Sequence, residues 1–290
     1  MAKDAAELYK SDKYQRTNDI ESRVSHGLPI EKRSKLEADQ AIEALGINFV
    51  KDDKILDLAC GTGNHARHLR EKLGIDIDAR DTSEPSIKEA KRIEEEIQKT
   101  RQSIRGNINF GDGDYGKIKE SITKNVKYRA ITILGSSFMY LNTAEEHQQA
   151  IHDFYDLLAP GGKLVIQFRD KEGGQEKDPE KTMEWRSQLH VLSENRNADD
   201  TIGKIVEPGT PIIILKDTEK GDGFYYHNFE KLDPASDGTP RHSFKKVYFD
   251  ENGNEEDMGS TVVIDYISKA TFPKLKALME NAGFKNISIQ

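Results

Sequence analysis

Lys54-Ile-Leu-Asp-Leu-Ala-Cys-Gly-Thr-Gly-Asn-His-Ala66 decides how this chain is read. Ile55 to Ala59 is an apolar run broken only by Asp57, short enough for a buried strand. It runs directly into Gly61-Thr62-Gly63, and a helical pattern follows from about His65 to Leu73, closed by Gly74. A strand, a glycine loop and a helix in that order place backbone N–H groups at a helix N-terminus beside a tight turn. On spacing alone this is G-x-G-x-x-A, which also fits a nicotinamide dinucleotide site.

The pattern repeats outward. Ile75 to Arg80, Ile108 to Phe110, Arg129 to Leu134 and Lys163 to Arg169 read as further strands. Helical spacing covers Ser86 to Thr100 and Ala144 to Leu158, and Pro160-Gly161-Gly162 is a turn signal. Strands alternating with helices imply right-handed crossovers and a parallel sheet with both faces covered. Ahead of the motif, Ile30, Leu36, Ala38, Ala41, Ile42 and Leu45 share a helical face. After residue 170 the rhythm changes. Ile212–Leu215, Gly223–Phe229, Phe244–Phe249 and Thr261–Ile267 read as strands without helices between them, with Asp250-Glu-Asn-Gly253 as a hairpin turn. Phe272 to Ala282 returns to helix, and Asn286 to Ile289 reads as the start of a last strand. The expected organisation is an N-terminal helical cap over 1–50, a Rossmann-like domain over 51–170, an antiparallel lid over 171–267 and a return to the domain over 268–290.

Composition narrows the function. The chain has 290 residues, 35% hydrophobic and 32% charged, with a net charge of -8. That charge disfavours a grip on nucleic-acid phosphates. No run approaches the roughly 20 apolar residues of a membrane helix. The N-terminus has no apolar signal core. The single cysteine, Cys60, excludes an internal disulfide and a Cys-rich zinc site and suits a reducing cytoplasm. His65 and His68 lie three apart on a helix, but no third ligand is evident, so no metal is expected.

Two acids set the chemistry of the loop. Asp57 precedes the first glycine by four residues, and Asp81 ends the second strand, where a ribose is gripped in this architecture. An acid beside the loop repels a pyrophosphate and suits a ligand with positive charge, such as an ammonium or a sulfonium.

The segment Ile55-Leu-Asp-Leu-Ala-Cys-Gly-Thr-Gly63, with Asp81 and Leu157-Leu-Ala-Pro-Gly-Gly-Lys-Leu-Val-Ile166, resembles the class I S-adenosylmethionine-dependent methyltransferases. The resemblance implies S-adenosylmethionine as cofactor and S-adenosylhomocysteine as product. More narrowly, Ile133-Leu-Gly-Ser-Ser-Phe138 and Leu164-Val-Ile-Gln-Phe-Arg169 are similar to the glycine and sarcosine N-methyltransferases. By that likeness, Asp57, Ala59, Gly61, Gly63, Asp81 and Leu134 would line the cofactor. Asp114 and Tyr115 would meet the adenine, and Arg33 would contribute from the N-terminal segment. Arg169 would hold a substrate carboxylate with its planar guanidinium, beside Ser136 and Ser137, with Arg169 and Ser136 the candidate catalytic pair. No general base is named.

The chain departs from the family pattern at Ser136, where the family has asparagine, and at Phe168-Arg169-Asp170, where it has His-Arg-Asn. The seventh, antiparallel strand of the class is expected to be absent. The reading is therefore an N-methyltransferase for glycine, sarcosine or dimethylglycine. A methyltransferase for another carboxylate-bearing metabolite, or a non-catalytic cofactor-binding subunit, stays open, and so does an assembly of identical chains.

Overall fold

The protein is described from a computed structural model, which covers residues 30–100, 105–135, 137–141, 143–167, 212–217, 221–232, 241–249, 255–264 and 272–288. The elements in chain order begin with helix α1 (Ile30–Leu45), strand β1 (Lys54–Leu58), α2 (Asn64–Leu73), β2 (Asp76–Asp81), α3 (Glu84–Thr100) and β3 (Ile108–Asp112). A 3-10 turn (Tyr115–Lys117), the short α4 (Ile118–Ser121) and β4 (Tyr128–Ile133) follow. A second 3-10 turn (Ser137–Tyr140) leads to α5 (Ala144–Leu157) and β5 (Leu158–Ile166). Then come β6 (Ile212–Asp217), β7 (Gly221–Leu232), β8 (Arg241–Phe249), β9 (Glu255–Ile264) and α6 (Phe272–Ala282).

Two compact units result: Ser34–Arg169 with Tyr266–Gln290, and Met1–Arg33 with Asp170–Asp265. The first holds a five-stranded sheet in the order β3-β2-β1-β4-β5, parallel at every pairing. This is a Rossmann-like class I sheet. Chain order reverses between β1 and β4, so the crevice beyond their carboxyl ends is the switch point where such sheets bind ligands. The second unit holds a four-stranded antiparallel sheet, β6-β7-β8-β9. Its first three strands contain the stretches read from sequence, with wider bounds. The fourth begins at Glu255 rather than Thr261, and residues 265–267 lie outside the described ones.

Side-chain alternation builds the first unit's core. Ile55, Ile77, Ala79, Phe110 and Ala130 meet Ala38 and Leu45 of α1, Ala66 and Leu69 of α2, and Ile87 and Ala90 of α3. The alternate residues Leu56, Leu58, Ile131 and Ile133 are buried as well. A strand hidden on both faces is why the sequence shows near-continuous apolar runs rather than alternation. Thr143 closes the N-terminus of α5 in a capping box with Glu146, satisfying two backbone donors.

Two details differ from expectation. The Pro160-Gly161-Gly162 turn lies inside β5 as an irregularity, since Tyr128 pairs with Leu158 and Ala130 already pairs with Lys163. Residues 286–288 do not form the anticipated strand, because Asn286 takes a left-handed φ of 57°, which an extended ladder cannot contain.

α1 is fastened to α2 by side-chain hydrogen bonds and an ion pair. His65 Nε2 lies 2.8 Å from Glu37 and His68 Nε2 2.9 Å from Asp39, with Lys72 also beside Asp39. The two histidines are thus spent on helix packing. Among the described residues no group of three metal-capable side chains occurs.

A second charge pair joins α2 to α3. Arg70 and Glu94 are 3% and 5% exposed and bonded to each other. Removing one partner leaves the other charged and buried. Glu94→Leu or Arg70→Met alone is expected to cost about 3–5 kcal/mol, while the two substitutions combined in one chain recover most of it. Urea unfolding of the three variants measures this, and additive losses would contradict it.

Candidate functional site

β1 ends on Leu58 and the chain turns at once. Ala59, Gly61 and Gly63 all take left-handed φ, at 55°, 54° and 82°. The Cys60 N–H donates to the Arg80 carbonyl at 3.1 Å, and Gly63 N–H to the Cys60 carbonyl at 2.9 Å. Arg67 clamps the loop from α2, donating to the Thr62 carbonyl at 2.6 Å and Asn64 Oδ1 at 3.0 Å.

The two glycines do different work. A Cβ at Gly63 would sit 2.5 Å from the buried Phe110 ring. A Cβ at Gly61 would meet nothing within 4 Å. The space over Gly61 is therefore where a ligand can approach the backbone. No side chain caps the first N–H groups of α2, whose N-cap is Gly63 itself.

The acids frame the loop. Asp57, on β1, is 1% exposed and accepts a 2.8 Å hydrogen bond from Thr132 Oγ1 on β4. Its other oxygen is buried with no hydrogen-bond partner. Burial, the dominant cause, pushes its pKa up to about 6, opposed by the nearby His65 and the Thr132 bond and reinforced by Asp81. Asp81, half-buried, accepts from Gly61 N–H at 2.7 Å and Ser83 N–H at 2.8 Å. Thr82 N–H is a third backbone donor to it, and the acceptor capacity left over is what a ribose could use. Burial raises this carboxyl too, against those backbone bonds. Cys60 is buried and its thiol is held protonated by burial first, so it is no nucleophile.

The ends of β4 and β5 complete the crevice. Ile133 pairs with Ile166, and Gln167 N–H donates to the Ile133 carbonyl at 2.9 Å. Gly135 N–H donates to Gln167 Oε1 at 2.6 Å, and Ser137 Oγ to the Leu134 carbonyl at 3.0 Å. Leu134 is buried.

Asp114 and Tyr115 behave differently from each other. Asp114 is exposed, and its Oδ1 is already engaged as the cap of the 3-10 turn, accepting from Gly116 N–H at 2.7 Å. The Tyr115 ring packs edge-on against Phe138 and Phe154, at 5.8 and 6.0 Å between centroids. Its hydroxyl is buried, with the Ser137 side chain as a polar neighbour. Burial first, and then the charges of Asp81 and Asp57, hold the phenol protonated. So the ring is anchored in an aromatic cluster, and its hydroxyl end senses both motif acids.

Of the other expected residues, Arg33 lies in the first turn of α1, four residues before Glu37. Ser136, Arg169 and Asp170 lie outside the described residues, as do Tyr9, Tyr14, Arg23 and Trp185. Tyr226 and His227 occupy β7. Sequence reasoning missed Thr132, Gln167 and Phe110. The signal for Thr132 was a lone hydroxyl inside Ile131-Thr132-Ile133, and for Gln167 a polar residue just past a strand end.

These residues fit S-adenosylmethionine. A buried carboxylate oxygen without a partner suits a cation, an open cradle over Gly61 suits close backbone approach, and Asp81 suits a hydroxyl pair. Fold and site together resemble those of the class I S-adenosylmethionine-dependent methyltransferases. Residues 55–162 match the family model described as a methyltransferase domain. The glycine/sarcosine N-methyltransferase of Halorhodospira halochloris is 30% identical over 144 residues, 49% of each chain. The dTDP-3-amino-3,4,6-trideoxy-alpha-D-glucopyranose N,N-dimethyltransferase of Streptomyces venezuelae is 29% identical over 113 residues, 39% of this chain and 41% of that one. The chain thus spans half or less of the length of the curated relatives it matches. A solved S-adenosylmethionine-dependent methyltransferase from Clostridium acetobutylicum shares the fold, with a TM-score of 0.56 at 17% identity over 93% of this chain and 87% of that one. Among the described residues no helix is long and apolar enough to cross a membrane.

Proposed function

We propose that the chain is an N-methyltransferase acting on a small amino acid or amine, with glycine, sarcosine and dimethylglycine the first acceptors to try. One observation carries this reading. The two segments that resemble the glycine and sarcosine enzymes, Ile133 to Phe138 and Leu164 to Arg169, begin within β4 and β5, which are paired up to Ile133 and Ile166. The resemblance therefore starts on two neighbouring strands, one of which, β4, borders the switch point, rather than on scattered positions.

S-adenosylmethionine supplies a methyl group already activated by the sulfonium charge. The chain's task is placement and exclusion of water. Asp57 carries negative charge in a buried position beside the loop, Asp81 holds hydroxyls, and the Gly61 backbone allows contact. Arg169 grips the acceptor carboxylate, with Ser136 and Ser137 alongside, and Arg33 and Asp114 serve the cofactor. The acceptor amine must arrive with its lone pair free, and no side chain is assigned as base. The lone cysteine and charge-rich surface support a cytoplasmic setting.

The relative from Streptomyces venezuelae supports a second reading, in which the acceptor nitrogen belongs to an amino sugar. Both named relatives act on nitrogen, and Ser136 in place of asparagine leaves room for a different acceptor. The test is methyl transfer followed by mass spectrometry, with glycine, sarcosine, dimethylglycine and an amino sugar nucleotide as acceptors. Product from one of the first three, reduced at least about a hundredfold in Arg169→Ala with cofactor binding unchanged, is the expected result. That loss corresponds to about 3 kcal/mol, within the range of a charge-assisted hydrogen-bonded pair. Product from the amino sugar alone would replace the first reading by the second.

A further inference from the structure

His147, one turn into α5, is wholly buried, and the sequence offers no reason for a histidine there beyond packing. Its Nδ1 lies 2.8 Å from the Thr143 carbonyl. A carbonyl only accepts, so Nδ1 carries the proton. The imidazole meets the Phe138 ring edge-to-face, 5.0 Å between centroids and 82° between planes. The Phe138 backbone is a further polar neighbour of the ring. Phe138 is itself fully buried and packs against Tyr115 and Phe154. A continuous chain of contacts thus runs from the capped start of α5, through His147 and Phe138, to Tyr115.

We propose that His147 is a positioning residue for the turn that follows β4, and through Phe138 for Tyr115 at the cofactor crevice. The proposal rests on the reading that the Leu134–Phe138 segment and Tyr115 belong to the site. Three other ties hold this region: Gly135 to Gln167, Ser137 to Leu134, and the capping box at Thr143. The first two fix the turn near β4 and β5. The contacts of His147 couple the far side of the turn to α5. A leucine or phenylalanine in its place would fill the space and leave the Thr143 carbonyl only the backbone N–H of residue 147, at 3.2 Å, without the side-chain bond that fixes the ring's orientation. That orienting bond is the physical reason for a polar ring in an apolar cluster. Burial lowers the pKa of His147, so the ring acts as a neutral donor whose orientation is set by Thr143.

The test uses the full chain with His147→Phe and His147→Asn. Phenylalanine keeps the ring contact and deletes the donor, whereas the asparagine side-chain amide sits near where Nδ1 was and can still donate to Thr143. Hydrogen exchange read by mass spectrometry should show amides of residues 135–141 exchanging about tenfold faster in His147→Phe, with the rest of the 34–169 unit changed less than about twofold. S-adenosylmethionine titrated directly should bind at least about fivefold more weakly. His147→Asn, which keeps the donor but loses the ring contact with Phe138, should recover part of both losses. Unchanged exchange at 135–141, or acceleration spread over the whole unit, would overturn the proposal, and so would a failure of asparagine to rescue. If the native chain bound no S-adenosylmethionine at all, the class reading would fall, while the exchange measurement would still decide the role of His147.

Discussion

Asp57→Asn is expected to stabilise the ligand-free protein at neutral pH while stripping it of S-adenosylmethionine. The carboxyl is 1% exposed, and one of its oxygens has no partner. It ionises near pH 6 in the fold against 3.8 for a free side chain, with burial the main cause. The folded form therefore binds this proton more tightly than the unfolded one. Stability falls as pH rises between about 4 and 6, and the full penalty, about 3 kcal/mol at most, stands above pH 6. Asparagine carries no charge and still accepts from Thr132, though its amide nitrogen then needs a partner, so about 1–2 kcal/mol of gain is expected. The melting temperature of the variant should exceed the native value by several degrees at about pH 7.5, and the difference should vanish near pH 4.5. Thermal melts at the two pH values read this directly. A variant less stable at both would mean that Asp57 is not a strained acid.

The same charge attracts the cationic cofactor. Binding should tighten as pH rises from about 5 to 7 and should release a fraction of a proton near pH 6, because the cofactor favours the ionised carboxylate. Calorimetric titrations in two buffers of different ionisation enthalpy count that proton. Asp57→Asn should weaken binding at least about tenfold and abolish the proton release. Function here is held at the expense of stability, as is common where a site must be complementary to something the apo protein lacks.

The second large effect separates two glycines that look equivalent in sequence. At Gly63, a methyl group meets the Phe110 ring at 2.5 Å while the backbone is left-handed at 82°. Left-handed strain of about 1–2 kcal/mol adds to overpacking of about 1–3 kcal/mol. Gly63→Ala should lose about 2–5 kcal/mol, a fall in melting temperature of about 5–15 °C. Gly61→Ala carries only the backbone strain, about 1–2 kcal/mol, because its Cβ enters open space. That space is where the ligand comes, so Gly61→Ala should raise the cofactor dissociation constant about tenfold or more, beyond what its lost stability explains. Equal destabilisation by both variants, or normal cofactor affinity in Gly61→Ala, would contradict this division.

Much of the first unit was legible because its signals are local. Lys54 to Leu58 is apolar enough to be buried on both faces, and Gly61 and Gly63 mark the turn that only residues tolerant of positive φ make cheaply. The start of α5 announces itself through Thr143 and Glu146. The last segment misled because Asn286-Ile-Ser-Ile289 has strand composition, while Asn also tolerates the left-handed backbone that it adopts. His65 and His68 were ambiguous for a different reason. Their partners, Glu37 and Asp39, lie 28 and 29 residues away, and no spacing rule links them.

What the sequence determined by itself was the class: strand, glycine loop, helix, and an acid on each of the first two strands. These follow from short-range periodicity and backbone sterics, which neighbouring residues set. What only the tertiary structure decided was the state of each group. Asp57 is a high-pKa, half-satisfied acid because β1 is central and Thr132 lies beside it on β4. Tyr115 turns its hydroxyl inward because Phe138 and Phe154 hold its ring. Gly63 differs from Gly61 because Phe110, 47 residues on, fills one space and leaves the other open. Burial and cross-strand register are properties of the assembled sheet, and they set the charge, the proton affinity and the room that a ligand meets.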